Sequence, residues 1–277
     1  MSVRIDGKKI ALEMKESMKN YLTKNPTQII FDIIYVGSDP VIDNFITYKK
    51  KFGKDLGIKV IVHNFSENIS QKELVENITR ISSRAQAVIV QLPLPKHIQT
   101  QLILDLIPPE KDVDVLASLT KGYFKNTRTP FYPAVTGAII KCMEYYDINL
   151  DNKNIVVVGN GSLVGRPVCD WLTRQGYHYD LITKESSKLK KGELLSKGDV
   201  IISGVGQPHM ITLEDISQGV VLIDAGTSEA DLRVLGDVHP GCTEKAAYMT
   251  PVPGGIGPIT IAILYENVLR AYNCYDR

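Results

Sequence analysis

Seven short runs of β-branched and aliphatic residues constrain the fold of this chain more than any other feature: "IIFDIIYV", "IKVIVHNF", "AVIV", "NIVVVG", "DLI", "DVIIS" and "VVLID". Most are nearly continuous in apolar residues rather than alternating, as strands buried on both faces are. Between them lie stretches of helical periodicity such as "ALEMKESMKNYLTK" and "QKELVENITRISSR". Strand and helix in alternation predict an α/β fold with parallel sheets. Around residues 115–135 the pattern loosens, and a helix in "TGAIIKCMEYYDI" leads to a second set of strands in doubly wound, Rossmann-like order. Two domains are therefore expected: an N-terminal α/β domain over 1–136, joined by a C-terminal helix (259–277) that returns to it, and a nucleotide-binding domain over 137–258. A chain of 277 residues is long enough for two such cores.

Thirty-two Lys and Arg against thirty-one Asp and Glu leave a net charge of +1, so no global field recruits nucleic acid or an anionic membrane. No apolar run approaches the roughly 20 residues of a membrane span. The opening "MSVRIDGKKIALEMKESMKNYL" reads as a short strand and an amphipathic helix rather than a secretory signal, and a cytoplasmic location is expected. Cys142, Cys169, Cys242 and Cys274 form no CxxC pair, so buried free thiols are expected, with neither a metal site nor a disulfide framework.

"IVVVG" runs directly into "NGSLVGRPVCDWL", placing Gly159 and Gly161 in a strand-to-helix turn and Gly165 one turn into the helix. Glycines there let the backbone approach a pyrophosphate, and the helix N-terminus offers N–H groups and partial positive charge. A tight structural turn would use the same residues, but the strand before and the helix after favour a dinucleotide. Past the next strand, Lys184 suits the 2′-phosphate of NADP and Glu185 the ribose hydroxyl of NAD; a solvated loop end fits both charges equally well.

Three further segments exceed what packing needs. "VQLPLP" ends a strand with polar Gln91, where ligands collect in parallel sheets, although backbone bonding could also satisfy that amide. "PPEKDVDV" offers Asp112 and Asp114, for which turn chemistry is the ordinary explanation. "TPVPGGIGPIT" combines three prolines and three glycines in a stiff loop whose backbone can approach a flat ligand. In the helix "PVIDNFITYKKKFGKDLGI", Phe45 and Lys49 share a face. Phe45, Tyr48 and Phe52 make an i, i+3, i+7 stripe, which predicts a core position for Tyr48.

In order along the chain, "VQLPLP", "PEKDVD", "VVVGNGSLVGRP", "SGVGQPHMI", "VLIDAG", "LGDV" and "TPVPGGIGPIT" closely resemble the bifunctional methylenetetrahydrofolate dehydrogenase/cyclohydrolase family. The resemblance implies a homodimer that binds folate, oxidises 5,10-methylenetetrahydrofolate with NADP or NAD, and hydrolyses the methenyl product to 10-formyltetrahydrofolate. It implies catalytic roles for Lys49, for Gln91 that supports it, and for Asp114 that holds the pterin. Phe45, Tyr48, Pro253, Gly254, Gly255, Gly257, Pro258 and Thr260 fall on the folate side. Gly159, Asn160, Gly161, Ser162, Val164, Gly165, Arg166, Lys184 and Thr227 fall on the nucleotide side, and no metal is implied.

The chain departs from the family in four places. Phe45 stands where the family has tyrosine, Val115 where it has glycine after "KDVD", and "YPAVTG" where it has a proline-cysteine-threonine-proline turn. Asn160 and Gly161 replace an arginine and a serine in the phosphate loop, so any 2′-phosphate contact falls to Lys184 or Arg166. These departures keep two rivals in view: a dehydrogenase with weak or lost hydrolase activity, and a folate- or nucleotide-binding relative without turnover.

Overall fold

The structure is a computed structural model and describes residues 2–230 and 233–272. The chain forms two compact units: residues up to Leu12 with Val135–Thr260, and Glu13–Ala134 with the chain from Ile261 on. Strand β1 (Val3–Arg4) and helix α1 (Gly7–Lys24) open the chain.

In the unit built on Glu13–Ala134, β2 (Ile30–Val36), α2 (Pro40–Asp55), β3 (Lys59–Phe65), α3 (Gln71–Arg84) and β4 (Val88–Val90) alternate as expected. The sheet order is β3-β2-β4, all parallel, with Ile30 opposite Lys59 and Asp32 opposite Val88. β2 is central, and every residue from Phe31 to Val36 is buried, as its largely apolar run requires, the one polar residue, Asp32, pairing with His63 Nε2 at 2.7 Å. α3 starts at a capping box, Ser70 and Glu73 each bonding the other's backbone N–H, and packs Leu74, Ile78 and Ile81 into a core with Ile34, Val36, Val88 and Val90. Short α4 (Thr100–Leu104) and α5 (Ser118–Lys125) follow. The expected loosening conceals α5: only Thr120 and Phe124 in it are buried, one helical repeat too short to register as periodicity.

The other unit begins with α6 (Ala134–Tyr145), then β5 (Ile155–Val158), α7 (Gly165–Arg174), β6 (Tyr179–Ile182), α8 (Lys188–Lys197), β7 (Val200–Ser203) and β8 (Val221–Asp224). An antiparallel pair, β9 (Ser228–Ala230) and β10 (Arg233–Leu235), precedes β11 (Tyr248–Met249) and α9 (Ile256–Ala271). The main sheet runs β1-β11-β8-β7-β5-β6, parallel throughout. It is wider than the four expected strands because β1 and β11, two residues each, extend one edge. Residues up to Leu12, expected with the first domain on chain order, join this sheet through β1. From Ile261 on, α9 belongs to the unit built on Glu13–Ala134, where Tyr265 stacks on Phe52 and meets Phe31 edge-on.

Cys142, Cys169 and Cys242 are free and buried, and Cys274 lies outside the described residues. Burial pushes the Cys142 thiol up to about 12 and the Cys242 thiol up to about 11, so neither is a ready nucleophile. Among the described residues no helix is long and apolar enough to cross a membrane, and no group of three His, Cys, Asp or Glu could hold a metal ion.

Candidate active site

α2 is started by Asp39, whose carboxylate accepts the N–H groups of Val41 and Ile42, with Pro40 in the first turn. The helix buries Ile46 and Gly53, a face that also carries half-buried Lys49. From that face Lys49 Nζ donates to Gln91 Oε1 at 2.6 Å. Gln91 stands just after β4, and its Nε2 donates to the Leu92 carbonyl at 2.9 Å, which turns its oxygen toward the amine. Asp114 is half-buried on the segment beyond α4 and acts on Lys49 by charge. Burial lowers the pKa of Lys49, opposed by Asp114; burial raises that of Asp114, opposed by Lys49. The site thus holds an amine predisposed to lose its proton, oriented by an amide and faced by a carboxylate.

Asp112, two residues before Asp114, follows the ordinary explanation. Its buried carboxylate accepts the N–H groups of Leu116 and Ala117 at the entry to α5. Between the two aspartates and α5 sits Val115 with φ of 59°, in the left-handed region that glycine adopts freely.

The aromatic stripe is not a core stripe. Tyr48 is 61% exposed and Phe45 is 42% exposed, whereas Phe52 is half-buried against Tyr265. Two residues turn a helix by about 200°, so Tyr48 points away from the face that Ile46 buries. The expectation of a core role for Tyr48 is corrected accordingly.

In the other unit, Gly159 has φ of +100° and Gly165 is the first residue of α7 rather than lying a turn inside it. A Cβ on Gly165 would fall 1.9 Å from the Gly159 carbonyl, so this glycine serves close packing of turn and helix. Around Gly161 a Cβ would meet nothing within 4 Å, so the protein's own packing does not ask for glycine there. Asn160, Ser162, Arg166, Lys184 and Thr227 are exposed, while Val164 packs against Gly204, where a Cβ would lie 2.3 Å from its Cγ1. Glu185 accepts from Thr183 Oγ1 at 2.6 Å, and that bond holds its carboxyl below the usual range.

In "TPVPGGIGPIT", Thr250 Oγ1 accepts the Asp224 N–H at 2.7 Å and Gly254 has φ of +106°. A Cβ on Gly7 would strike the Gly255 carbonyl at 1.7 Å, and the Gly7 N–H donates to the Gly254 carbonyl at 3.1 Å. The peptides before Pro93 and Pro253 are cis. Gly257, Pro258 and Thr260, expected in the loop, belong to the first turns of α9, where Thr260 Oγ1 donates to the Ile256 carbonyl.

Two carboxylates escaped sequence reasoning although their motifs were in view. Asp237 of "LGDV" is fully buried and accepts Ser203 Oγ, the Val205 N–H and the Gln207 N–H. Asp224 of "VLIDAG" accepts the N–H groups of Gly226 and Val238, and burial raises it to about 6 with the Asp237 charge adding to the effect. Gly226 and Gly236 are glycines because a Cβ would lie 2.2 Å from Asp237 and 2.1 Å from Asp224. The pair shapes the loops at the carboxyl ends of β7 and β8, where open α/β sheets bind ligands.

Two family models match: the catalytic domain of tetrahydrofolate dehydrogenase/cyclohydrolase over residues 5–114, and its NAD(P)-binding domain over residues 133–276. The chain belongs to the tetrahydrofolate dehydrogenase/cyclohydrolase family. It is 36% identical over 274 residues to the bifunctional protein FolD of Nitratiruptor sp., covering 96% of each chain. Among solved structures, the FolD methylenetetrahydrofolate dehydrogenase/cyclohydrolase of Campylobacter jejuni superposes with a TM-score of 0.92 at 30% identity over 99% of each chain. The Trypanosoma brucei enzyme complexed with NADP cofactor and inhibitor superposes with a TM-score of 0.92 at 26% identity, over 98% of this chain and 97% of that one.

Proposed function

We propose that this protein oxidises 5,10-methylenetetrahydrofolate with NAD(P)+ and hydrolyses the methenyl product to 10-formyltetrahydrofolate. Family membership supplies the reaction class, and the Lys49–Gln91 bond of 2.6 Å beside Asp114 carries the reading for hydrolysis. The unit built on Glu13–Ala134 carries Lys49, Gln91 and Asp114 for the folate, and the unit built on Val135–Thr260 carries the glycine turn at Gly159–Gly165 for the nucleotide.

Bound NAD(P)+ supplies the hydride acceptor. The open approach at Gly161 and the α7 N-terminus fit a pyrophosphate, and Lys184 and Arg166 are the cations within this domain for a 2′-phosphate. Hydride transfer asks only for positioning. Hydrolysis asks for proton movement. Water adds its oxygen to the methenyl carbon and gives a proton to neutral Lys49, whose burial already disfavours the charged form. The ammonium then returns that proton to N5 as the bond from N5 to that carbon breaks, while the carbinol hydroxyl releases its own proton to solvent and becomes the carbonyl of the formyl group left on N10. Gln91 Oε1 holds the amine through both transfers, and Asp114 accepts from the pterin N–H groups.

The same reading makes the protein a cytoplasmic homodimer. β3 is an edge strand with half-buried Val60, Ile61, Val62 and Phe65, an edge that a second copy can extend about a two-fold axis. Sedimentation of the purified protein tests the dimer.

The deciding experiment supplies methylenetetrahydrofolate with NADP or NAD and follows reduced nucleotide and methenyl absorbance together. Lys49→Met is expected to lower hydrolysis at least about a hundredfold, the ordinary scale for a lost acid–base group, and to leave hydride transfer measurable. Equal loss of both activities in a folded variant removes Lys49 from the proton-transfer role. Binding of both ligands without product selects the non-catalytic rival.

A further inference from the structure

We propose that Tyr265 of α9 is a positioning residue for Lys49: its hydroxyl clamps the turn of α2 from which the amine projects and so fixes how far that amine is kept from water. The inference rests on the hydrolytic role proposed for Lys49.

Tyr265 Oη donates to the Lys49 carbonyl at 2.6 Å. Its ring is fully buried, stacked on Phe52 at 5.0 Å and edge-on to Phe31 at 5.6 Å, so the hydroxyl has little freedom to move elsewhere. Burial raises the phenol pKa, the Gly53 backbone N–H offsetting this in part, and the group remains a donor across the working pH range.

Gly53 supports the same conclusion independently. Glycine is a poor residue for a helix interior, yet it stands one turn after Lys49 inside α2. A Cβ there would lie 2.6 Å from Tyr265 Oη and 2.6 Å from Val60 Cγ2. The missing side chain is the space through which the phenol reaches the helix backbone. Lys49 is thereby held at both ends: its carbonyl by Tyr265, its Nζ by Gln91 at 2.6 Å. The charged group facing its amine is Asp114; Lys50 and Lys51 on its own helix are exposed. Since Asp114 favours the ammonium, the neutral amine depends on burial, and burial depends on the turn staying seated.

Tyr265→Phe removes one oxygen and keeps the ring. In protein carrying 13C-labelled lysine, with the Lys49 signal assigned by its loss in Lys49→Met, the titration midpoint is expected to rise toward the ordinary 10.5. The ascending limb of the hydrolysis pH profile should rise with it. At neutral pH kcat for hydrolysis should fall about tenfold, with KM and the hydride-transfer kcat within about twofold of wild type. Phe31→Leu is the control for damage to the same core: it should lower thermal stability and leave the Lys49 titration in place. If Tyr265→Phe moves neither titration nor pH limb, or Phe31→Leu moves them equally, Tyr265 is only core and the proposal fails. A wild type that does not hydrolyse the methenyl substrate would instead refute the role given to Lys49, and the titration alone would then decide Tyr265.

Discussion

Replacing Val115 by alanine and by glycine separates two opposing effects at one position. Val115 is 2% exposed, so truncation to alanine removes two buried carbons and is expected to cost about 2–3 kcal/mol with the cavity included. At an ordinary backbone position the further step to glycine would cost roughly 1.2–1.8 kcal/mol, from one more buried carbon and a more flexible unfolded chain. Here φ is 59°, and relief of the left-handed strain returns about 1–2 kcal/mol. The alanine and glycine variants should therefore agree to within about 1 kcal/mol. Urea midpoints at unchanged slope measure the difference. A glycine variant less stable than alanine by about 1.5 kcal/mol or more would falsify the strain argument, since that is the cost with no strain to relieve. Val115 thus retains core packing at the expense of a backbone conformation its side chain opposes, and the turn that presents Asp114 carries the strain.

Asn160→Arg should raise the ratio of kcat/KM for NADP to that for NAD by about ten- to a hundredfold, the worth of one charge-assisted contact to a 2′-phosphate; a wild type already favouring NADP by orders of magnitude, with no further gain, would end that reasoning. Asp112 is raised from 3.8 to about 6, so the folded state holds more protons than the unfolded between those values and its contribution is full below 3.8 and lost as pH rises through 6. Asp112→Asn should consequently gain on wild type between pH 4 and 7, by about 3 kcal/mol at most, and level off above; a pH-independent difference in urea midpoints would contradict the assignment. Phe45→Tyr should raise hydrolysis by about tenfold and leave hydride transfer nearly unchanged, because it adds a hydroxyl one helical turn from Lys49; if it is neutral and Tyr48→Phe cripples hydrolysis selectively, Tyr48 already supplies that hydroxyl.

The parts of the fold legible in the sequence are those where many residues repeat one instruction. β2 repeats its burial over six consecutive residues, Phe31 to Val36, and α3 carries both its cap and its periodicity in plain view. β1 is the short strand expected at the opening of the chain, but its place in the second sheet was not legible, and nothing in "YM" distinguishes the two-residue β11 from a loop; their pairing exists because a sheet edge is nearby. Tyr48 was misplaced for a related reason. Apolar spacing counts aromatic rings, but the face of α2 that is buried was chosen by Ile46 and by Gly53, which periodicity ignores and which Tyr265 requires. The Lys49–Gln91 contact joins residues 42 apart, so spacing had nothing to say about it and the motif resemblance alone pointed to it.

Asp112 and Asp114 show why the rest was not legible. They are the same residue type, two positions apart, in one motif, and on composition or spacing each could be a turn residue or a ligand. What separates them is the supply of partners. Two backbone N–H groups of the chain itself reach the buried Oδ2 of Asp112, so this carboxylate is spent on building the entry to α5. Asp114 has the Lys49 charge as its opposing influence and remains half-buried, with its lone pairs open to a donor from outside the described residues. Val115, held in the left-handed region immediately after it, shapes the turn between Asp114 and α5. The same test sorts the glycines: Gly165 is demanded by the protein's own carbonyl, Gly161 by nothing within it. A residue whose chemistry its own fold already satisfies is architecture, and one left unsatisfied on a rigid element is where a ligand is to be sought.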